Sequence, residues 1–293
     1  MPIQRVLILG VKGTLGGQLK RIYPDGVGWD REDLDVRDLT ALRARVGSLG
    51  FVPDAVINCV AFNDVDGAED RPEQAFALNA DFAEALAQYT KELGVPLVHY
   101  STNYVFDGMK GEYLESDPPS PLSVYGRSKW RGEQLIAECC GRSYIVRTAV
   151  LFGPKGESEL SKKSFVDLML DLAAKRDSIQ AVSDEVNSVT YAPDLAARTR
   201  DLLETQSPPG IYHIVNSGAA SWFDFAQEIF RIAGKKVRVL PVPSTYFTRK
   251  AFRPGRAILL NTKLPKVRSW QSALEEFLDG TREPVPPNSE PRA

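Results

Sequence analysis

Arg5-Val-Leu-Ile-Leu-Gly10-Val-Lys-Gly13-Thr-Leu-Gly16-Gly-Gln-Leu-Lys-Arg-Ile22 is the stretch that decides the fold. Its apolar start reads as a strand over Arg5–Leu9. Leu15, Leu19 and Ile22 then recur on one face of a helix from Thr14 to Ile22. Gly10, Gly13 and Gly16 lie between, where glycines permit a tight turn and a close backbone approach, and where a helix N-terminus offers amides to a pyrophosphate. The same glycine spacing also fits a plain strand-to-helix turn. Its position between the first strand and the first helix makes dinucleotide binding the stronger reading.

Outward from this loop the alternation continues. Val27–Asp30 is a second strand, and Asp54-Ala-Val-Ile-Asn58 a third, preceded by the breaker Pro53. A long helix spans Pro72–Leu93 and is closed by Gly94; Pro96–Ser101 is a fourth strand, Leu122–Cys139 a helix and Ser143–Val150 a fifth strand. Apolar strands alternating with helices predict a parallel sheet covered on both faces, the doubly wound α/β class of Rossmann type. Ligands bind such sheets outside the strand carboxyl ends, which here means residues 10–16, 30–31, 58–66 and 101–108. After Gly153 the rhythm loosens. Helical patterns at Lys163–Ala174, Asp194–Thr205 and Ser221–Ala233, with short strands at Ile211–Val215 and Val237–Leu240, predict a smaller α/β substrate lobe over residues 154–280. A last helix is expected over Trp270–Leu278. The dinucleotide domain is expected over 1–153 with contributions from later segments, and 281–293, with four prolines, as a disordered tail.

The composition of the 293 residues, 43% hydrophobic and 25% charged, is that of a globular protein. The net charge of −2 gives no case for nucleic acid or a membrane surface. Cys59, Cys139 and Cys140 make no disulfide framework. No apolar run approaches a membrane span, and Val6–Leu9 follows the initiator methionine too closely to leave room for a cleaved signal. A cytoplasmic protein is expected, with monomer and homodimer both open.

Acidic Asp30, closing the second strand, suits a ribose 2′-hydroxyl, whereas Lys12 and Arg31 suit a 2′-phosphate. Asp30 can equally cap the following turn. The two cations tilt the expectation to NADPH, with NADH left open. Tyr125 and Lys129 stand four apart on one helix face, and Thr102 lies just past the fourth strand. Ketone reduction needs hydride at carbon and a proton at oxygen. A free phenol has a pKa of about 10. An ammonium about 4 Å away, worth roughly 4 kcal/mol at an effective dielectric near 20, would bring it near 7. Thr102 would orient the carbonyl oxygen, and Lys129 would also hold the nicotinamide ribose. A metal site or a Ser-His-Asp hydrolase fits poorly: the only histidines, His99 and His213, sit within strands, and Gly-x-Ser-x-Gly is absent.

At these residues the sequence resembles the extended short-chain dehydrogenases and, within them, the dTDP-4-dehydrorhamnose reductases. The resemblance runs from about residue 5 to residue 278. It rests on Ile57-Asn-Cys-Val-Ala61, Val65-Asp-Gly-Ala-Glu69, Ser101-Thr-Asn-Tyr-Val-Phe-Asp-Gly108 and Pro121-Leu-Ser-Val-Tyr-Gly-Arg-Ser-Lys-Trp-Arg-Gly-Glu133. In the second lobe it rests on Gly210-Ile-Tyr-His213, Ser221-Trp-Phe-Asp-Phe-Ala226 and Arg253-Pro254. It implies catalytic roles for Thr102, Tyr125 and Lys129, and cofactor contacts for Gly10, Gly13, Thr14, Leu15, Asp35, Val60 and Ala61. It implies reduction of the 4-keto group of dTDP-4-dehydro-6-deoxy-L-mannose to dTDP-L-rhamnose, a precursor of bacterial surface polysaccharide.

The chain departs from that pattern at Thr14, at Asn103 in place of Asp, at Val150 in place of Trp, across Asp184–Thr190 and at Arg256-Ala257. Most of these fall where sugar and nucleotide should sit. Asn103, Val150 and Arg253 are the expected substrate contacts, with Arg253 on the diphosphate. The alternatives are a 4-ketoreductase for another nucleotide deoxysugar, a dehydratase or epimerase, and a non-catalytic partner like the regulatory subunit of methionine adenosyltransferase. A 4,6-dehydratase would carry an Asp-Glu pair after the threonine, where Asn103 and Tyr104 stand.

Overall fold

A computed structural model describes residues 3–139, 141–158, 163–205 and 207–281. Six parallel strands form the central sheet: β1 (Val6–Leu9), β2 (Val27–Trp29), β3 (Ala55–Asn58), β4 (Leu97–Thr102), β5 (Ser143–Thr148) and β6 (Gly210–His213). Their spatial order is β2-β1-β3-β4-β5-β6. The chain therefore moves outward to β2, then reverses to β3, and the crevice at the carboxyl ends of β1 and β3 is the topological switch point.

Alternation along β1 shows why both faces are covered. Val6 and Ile8 pack with Leu15 and Leu19 of the first helix and with Leu195 and Leu202. Leu7 and Leu9 pack on the other side with Leu42, Val46, Phe82 and Leu86. All four β1 side chains are buried, so the strand reads as a continuous apolar run.

The second half departs from the sequence expectation at a strand. The strand expected in the substrate lobe at Ile211–Val215 is β6, paired parallel with β5 from Gly210↔Tyr144 to His213↔Arg147. The helix before it, Ala192–Glu204, packs on the first helix. A parallel neighbour needs a crossover, and this helix supplies it before the chain leaves the sheet for good. The substrate lobe is thus built from segments on either side of β6.

Its own sheet runs Ala219–Ser221, Val186–Ser188, Arg256–Leu259 and Gly111–Tyr113. The last of these comes from the first half and follows the segment Ser101–Gly108, tying the end of β4 to the lobe. Phe152, Met169, Phe225, Ile229, Trp270 and Phe277 fill the lobe core. Its helices Phe165–Ala173 and Trp222–Ile232 begin with capping boxes, Ser164 with Asp167 and Ser221 with Asp224. The last helix runs Trp270–Thr281, three residues beyond the expectation. The rest of the expected tail, 282–293, lies outside the described residues.

The long helix expected over Pro72–Leu93 is interrupted. It comprises Pro72–Phe76, a π turn Ala77–Asp81 and Phe82–Leu93. Asn79 in that turn accepts from the Phe62 amide at 2.8 Å and donates to the Phe62 carbonyl at 3.0 Å, clamping the loop after β3. Its own carbonyl presses on Gly132, where a Cβ would collide with it. A hydrophobic pattern carries no trace of such a clamp.

Candidate active site

The loop after β1 has the shape a dinucleotide needs. Gly10 has φ +81°, and a Cβ there would lie 3.2 Å from the Cys59 carbonyl carbon and the Val60 nitrogen. A Cβ on Gly16 would fall on the Gly10 carbonyl oxygen. Gly13 stands at the N-cap of the helix Thr14–Ile22 and supplies no capping side chain to its first amides. Glycines leave a cradle of backbone facing a helix N-terminus, which fits a pyrophosphate. The segment after Gly153 closes over this loop: the Ser158 amide donates to the Lys12 carbonyl at 2.9 Å, and Gly156 packs against Lys12–Thr14.

Three expected cofactor contacts, Asp30, Lys12 and Asp35, have partners within the protein. Asp30 braces the loop, accepting from the Lys12 amide at 3.0 Å and the Arg31 amide at 2.8 Å. It caps its own turn, the alternative its position allowed. Lys12 directs its ammonium to Glu32, because three carboxylates follow β2 and the ammonium finds one of them. Arg31 is exposed, and Asp35 pairs with Arg37 at 2.7 Å. Asp30, Arg31, Asp35, Arg37, Val60 and Leu78 line a groove of about 490 Å³ beside β2, where an adenosine would sit. Arg37 is a cation that the sequence reading missed. Ala61 lies half-buried beside Val60 at the switch point.

Thr102 ends β4, and Tyr125 and Lys129 lie on the helix Val124–Cys139. Glu69 sets the start of that helix by accepting from the Val124 amide at 2.8 Å. The Tyr125 phenol lies close enough to Thr102 for that side chain to favour its ionised form, and Tyr104 packs edge-on against Tyr125 with centroids 5.7 Å apart. Burial pushes the Tyr125 phenol up to about 12. The expected drop toward 7 is not present, because the Lys129 ammonium is turned elsewhere. Its Nζ donates to the Tyr100 carbonyl at 2.6 Å and lies 3.2 Å from His99 Nε2. Burial pulls Lys129 down to about 8.

The expected substrate contacts behave differently from one another. Arg253 forms a two-point pair with Asp66, at 2.9 and 3.2 Å, and its charge bears on the buried Tyr104 phenol. Asp66 further accepts from the Lys250 and Ala251 amides, and these donors hold it down to about 2. Asn103 is buried and does not face the cleft. Its amide donates to Asn187 at 2.7 Å and to the Ala257 carbonyl at 3.2 Å, bridging the two lobes. Val150 has φ +35°, a region that β-branched residues rarely adopt, and packs on the lobe core. Beside Arg253 is a groove of about 510 Å³ lined by Phe165, Trp222, Phe247, Arg176 and Arg249. Aromatic faces and guanidinium groups together suit a nucleoside diphosphate.

No group of metal ligands occurs among the described residues, and none of their helices is long and apolar enough to cross a membrane.

The family model described as RmlD substrate binding domain matches residues 4–283. A dTDP-4-dehydrorhamnose reductase of Streptomyces griseus is 35% identical over 94% of this chain and 93% of its own. A probable dTDP-4,6-dihydroxy-2-methyloxan-3-one 4-ketoreductase of Streptomyces antibioticus is 36% identical over 93% and 94%. The crystal structure of dTDP-4-dehydrorhamnose reductase from Bacillus anthracis in complex with NADP superposes with a TM-score of 0.89 at 35% identity, covering 96% of this chain and all of that one.

Proposed function

The chain belongs to the RmlD substrate-binding-domain family, and on that premise we propose that it reduces the 4-keto group of dTDP-4-dehydro-6-deoxy-L-mannose to dTDP-L-rhamnose with NADPH. The observation that carries the reading is that Thr102 at the end of β4 and Tyr125 on the neighbouring helix lie together, with the glycine cradle on one side and an aromatic, arginine-lined groove on the other. When bound, the nicotinamide supplies the hydride. The protein's own groups do the rest. Gly10, Gly13, Thr14, Leu15 and Gly16 hold the pyrophosphate; Asp35, Val60 and Ala61 shape the flanks. Arg31 and Arg37 are the cations for a 2′-phosphate. Thr102 orients the ketone oxygen, and Tyr125 gives it a proton as negative charge develops there. The reaction belongs in the cytoplasm. Oxidation of NADPH on addition of the dTDP-keto sugar tests the proposal; binding without turnover would instead favour a regulatory partner.

A second reading has its own support. Val150 stands where the family pattern has tryptophan, and the relative from Streptomyces antibioticus carries the name of a different 4-ketoreductase. A panel of dTDP-, GDP-, UDP- and CDP-linked 4-keto sugars separates the two by kcat/KM.

Two expected results follow for the binding grooves. Arg31→Ala should raise Kd for NADPH about tenfold and leave NADH nearly unchanged, since a charge-assisted contact to phosphate is worth about 1.5 kcal/mol. Equal effects on both would remove Arg31 from the site. Arg253→Ala should raise KM for the sugar nucleotide about tenfold with kcat within a fewfold, because the diphosphate is remote from the reacting carbon. An unaltered KM would place Arg253 outside the site, as a structural partner of Asp66.

A further inference from the structure

Behind Lys129 lies a buried chain of three polar side chains whose hydrogen positions can be worked out from their partners. The Val60 amide donates to Asn58 Oδ1 at 3.0 Å, so the Asn58 amide cannot be turned over without facing N–H to N–H. Asn58 Nδ2 therefore donates to His99 Nδ1, at 3.1 Å. Asn58 and His99 are direct neighbours across β3 and β4, which fixes this approach. A neutral imidazole that accepts at Nδ1 carries its proton on Nε2. That N–H points at Lys129 Nζ, 3.2 Å away. An ammonium has no lone pair to accept it, whereas an amine does. The Tyr100 carbonyl, 2.6 Å from Nζ, takes a hydrogen from either form.

We propose that His99, locked by Asn58 in its Nε2–H tautomer, is a positioning residue that draws Lys129 onto β4 and stabilises its amine form. The proposal rests on the reading of Tyr125 and Lys129 as the reducing pair. Tyr125 regains from water the proton it gives to the substrate oxygen. Lys129 Nζ, in its amine form, accepts from His99 Nε2–H while donating to the Tyr100 carbonyl.

The other titratable groups around Nζ do not supply this preference. Cys59 at the end of β3 has its thiol pushed up by burial and stays neutral. Glu133, one turn along the helix, favours the ammonium but is itself bound to Arg147 of β5. His99 is held well below its usual range by burial and by the Lys129 charge, so it remains a neutral ring.

The test begins with ¹⁵N imidazole shifts of the full-length protein without cofactor, which need no turnover. The chain has two histidines. His213 Nδ1 donates to the Leu260 carbonyl at 3.0 Å and is therefore the Nδ1–H tautomer. One ring of each tautomer is expected, unchanged from about pH 6 to 9; two Nδ1–H rings, or a His99 imidazolium, would overturn the proposal. Asn58→Asp should invert His99, since a carboxylate accepts from Nδ1–H. It should also move the Lys129 limb of the kcat profile up by about one pH unit, a tenfold change in proton affinity. His99→Gln can accept from Asn58 and turn an N–H toward Nζ, and should keep the wild-type limb. An inverted ring with an unmoved limb, or a limb displaced in His99→Gln, also overturns it. A silent enzyme with the expected tautomers would count against the reductase reading alone.

Discussion

Tyr125→Phe should lower kcat by about 10²- to 10⁴-fold while NADPH affinity and Tm stay close to wild type. The factor is what a positioned general acid contributes, about 3–5 kcal/mol of transition-state stabilisation. The change removes one oxygen from a ring that lies beside Thr102 and packs on Tyr104, and the ring itself remains. The glycine cradle follows β1 and contains no part of Tyr125. With the phenol pushed up to about 12, the group is protonated across the working range, in the form a reducing enzyme needs before turnover. The acid limb of a kcat profile should therefore owe nothing to Tyr125. A variant that turns over within a fewfold of wild type would remove it as proton donor and leave Thr102 or water in that role.

The value of that pKa marks the boundary of what the sequence could convey. Tyr125 and Lys129 at a four-residue spacing, with Thr102 at a strand end, were legible because helix and strand periodicity place them. So were the glycine loop and five strands of the central sheet, since long apolar runs with a fixed period leave few alternatives. The direction in which the Lys129 ammonium points was not legible. It depends on the Tyr100 carbonyl and His99, which reach Lys129 only through the packing of the helix on β4. Asp30 shows the same limit: an acid at the end of a second strand can face a ribose or its own loop, and backbone amides 2.8 and 3.0 Å away draw it to the loop. The placement of β6 was missed because a short strand after a helix has the same pattern in either lobe. Asn103 and Asn187 lie 84 residues apart, and no local signal joins them.

Glu133→Ala should be the most damaging change away from the reacting groups, destabilising the protein by about 3–5 kcal/mol. Arg147 and Glu133 are among the most buried charged side chains, at 1% and 3% exposure. Arg147 donates to the carboxylate through Nε at 2.9 Å and Nη2 at 2.6 Å, and its guanidinium carbon stands 5.1 Å from the Phe106 ring centre. Removing Glu133 leaves a guanidinium that cannot lose its charge inside the sheet, so the lost stability is mainly an uncompensated buried cation. Glu133 follows Lys129 by one helical turn, so the pair also fixes the catalytic helix against β5. Loss of kcat should therefore accompany loss of Tm. The double variant Glu133→Leu, Arg147→Met separates these effects. It removes both charges at similar volume and should recover most of the stability, because a buried pair is worth little relative to apolar packing. Denaturant titration of the two single variants and the double variant completes the cycle. If Glu133→Ala unfolds within about 1 kcal/mol of wild type, the pair is solvated in the protein and does not anchor the helix. If the double variant is as unstable as the single one, it is the packing of the Arg147 guanidinium on Phe106, rather than charge compensation by Glu133, that holds the helix on the sheet.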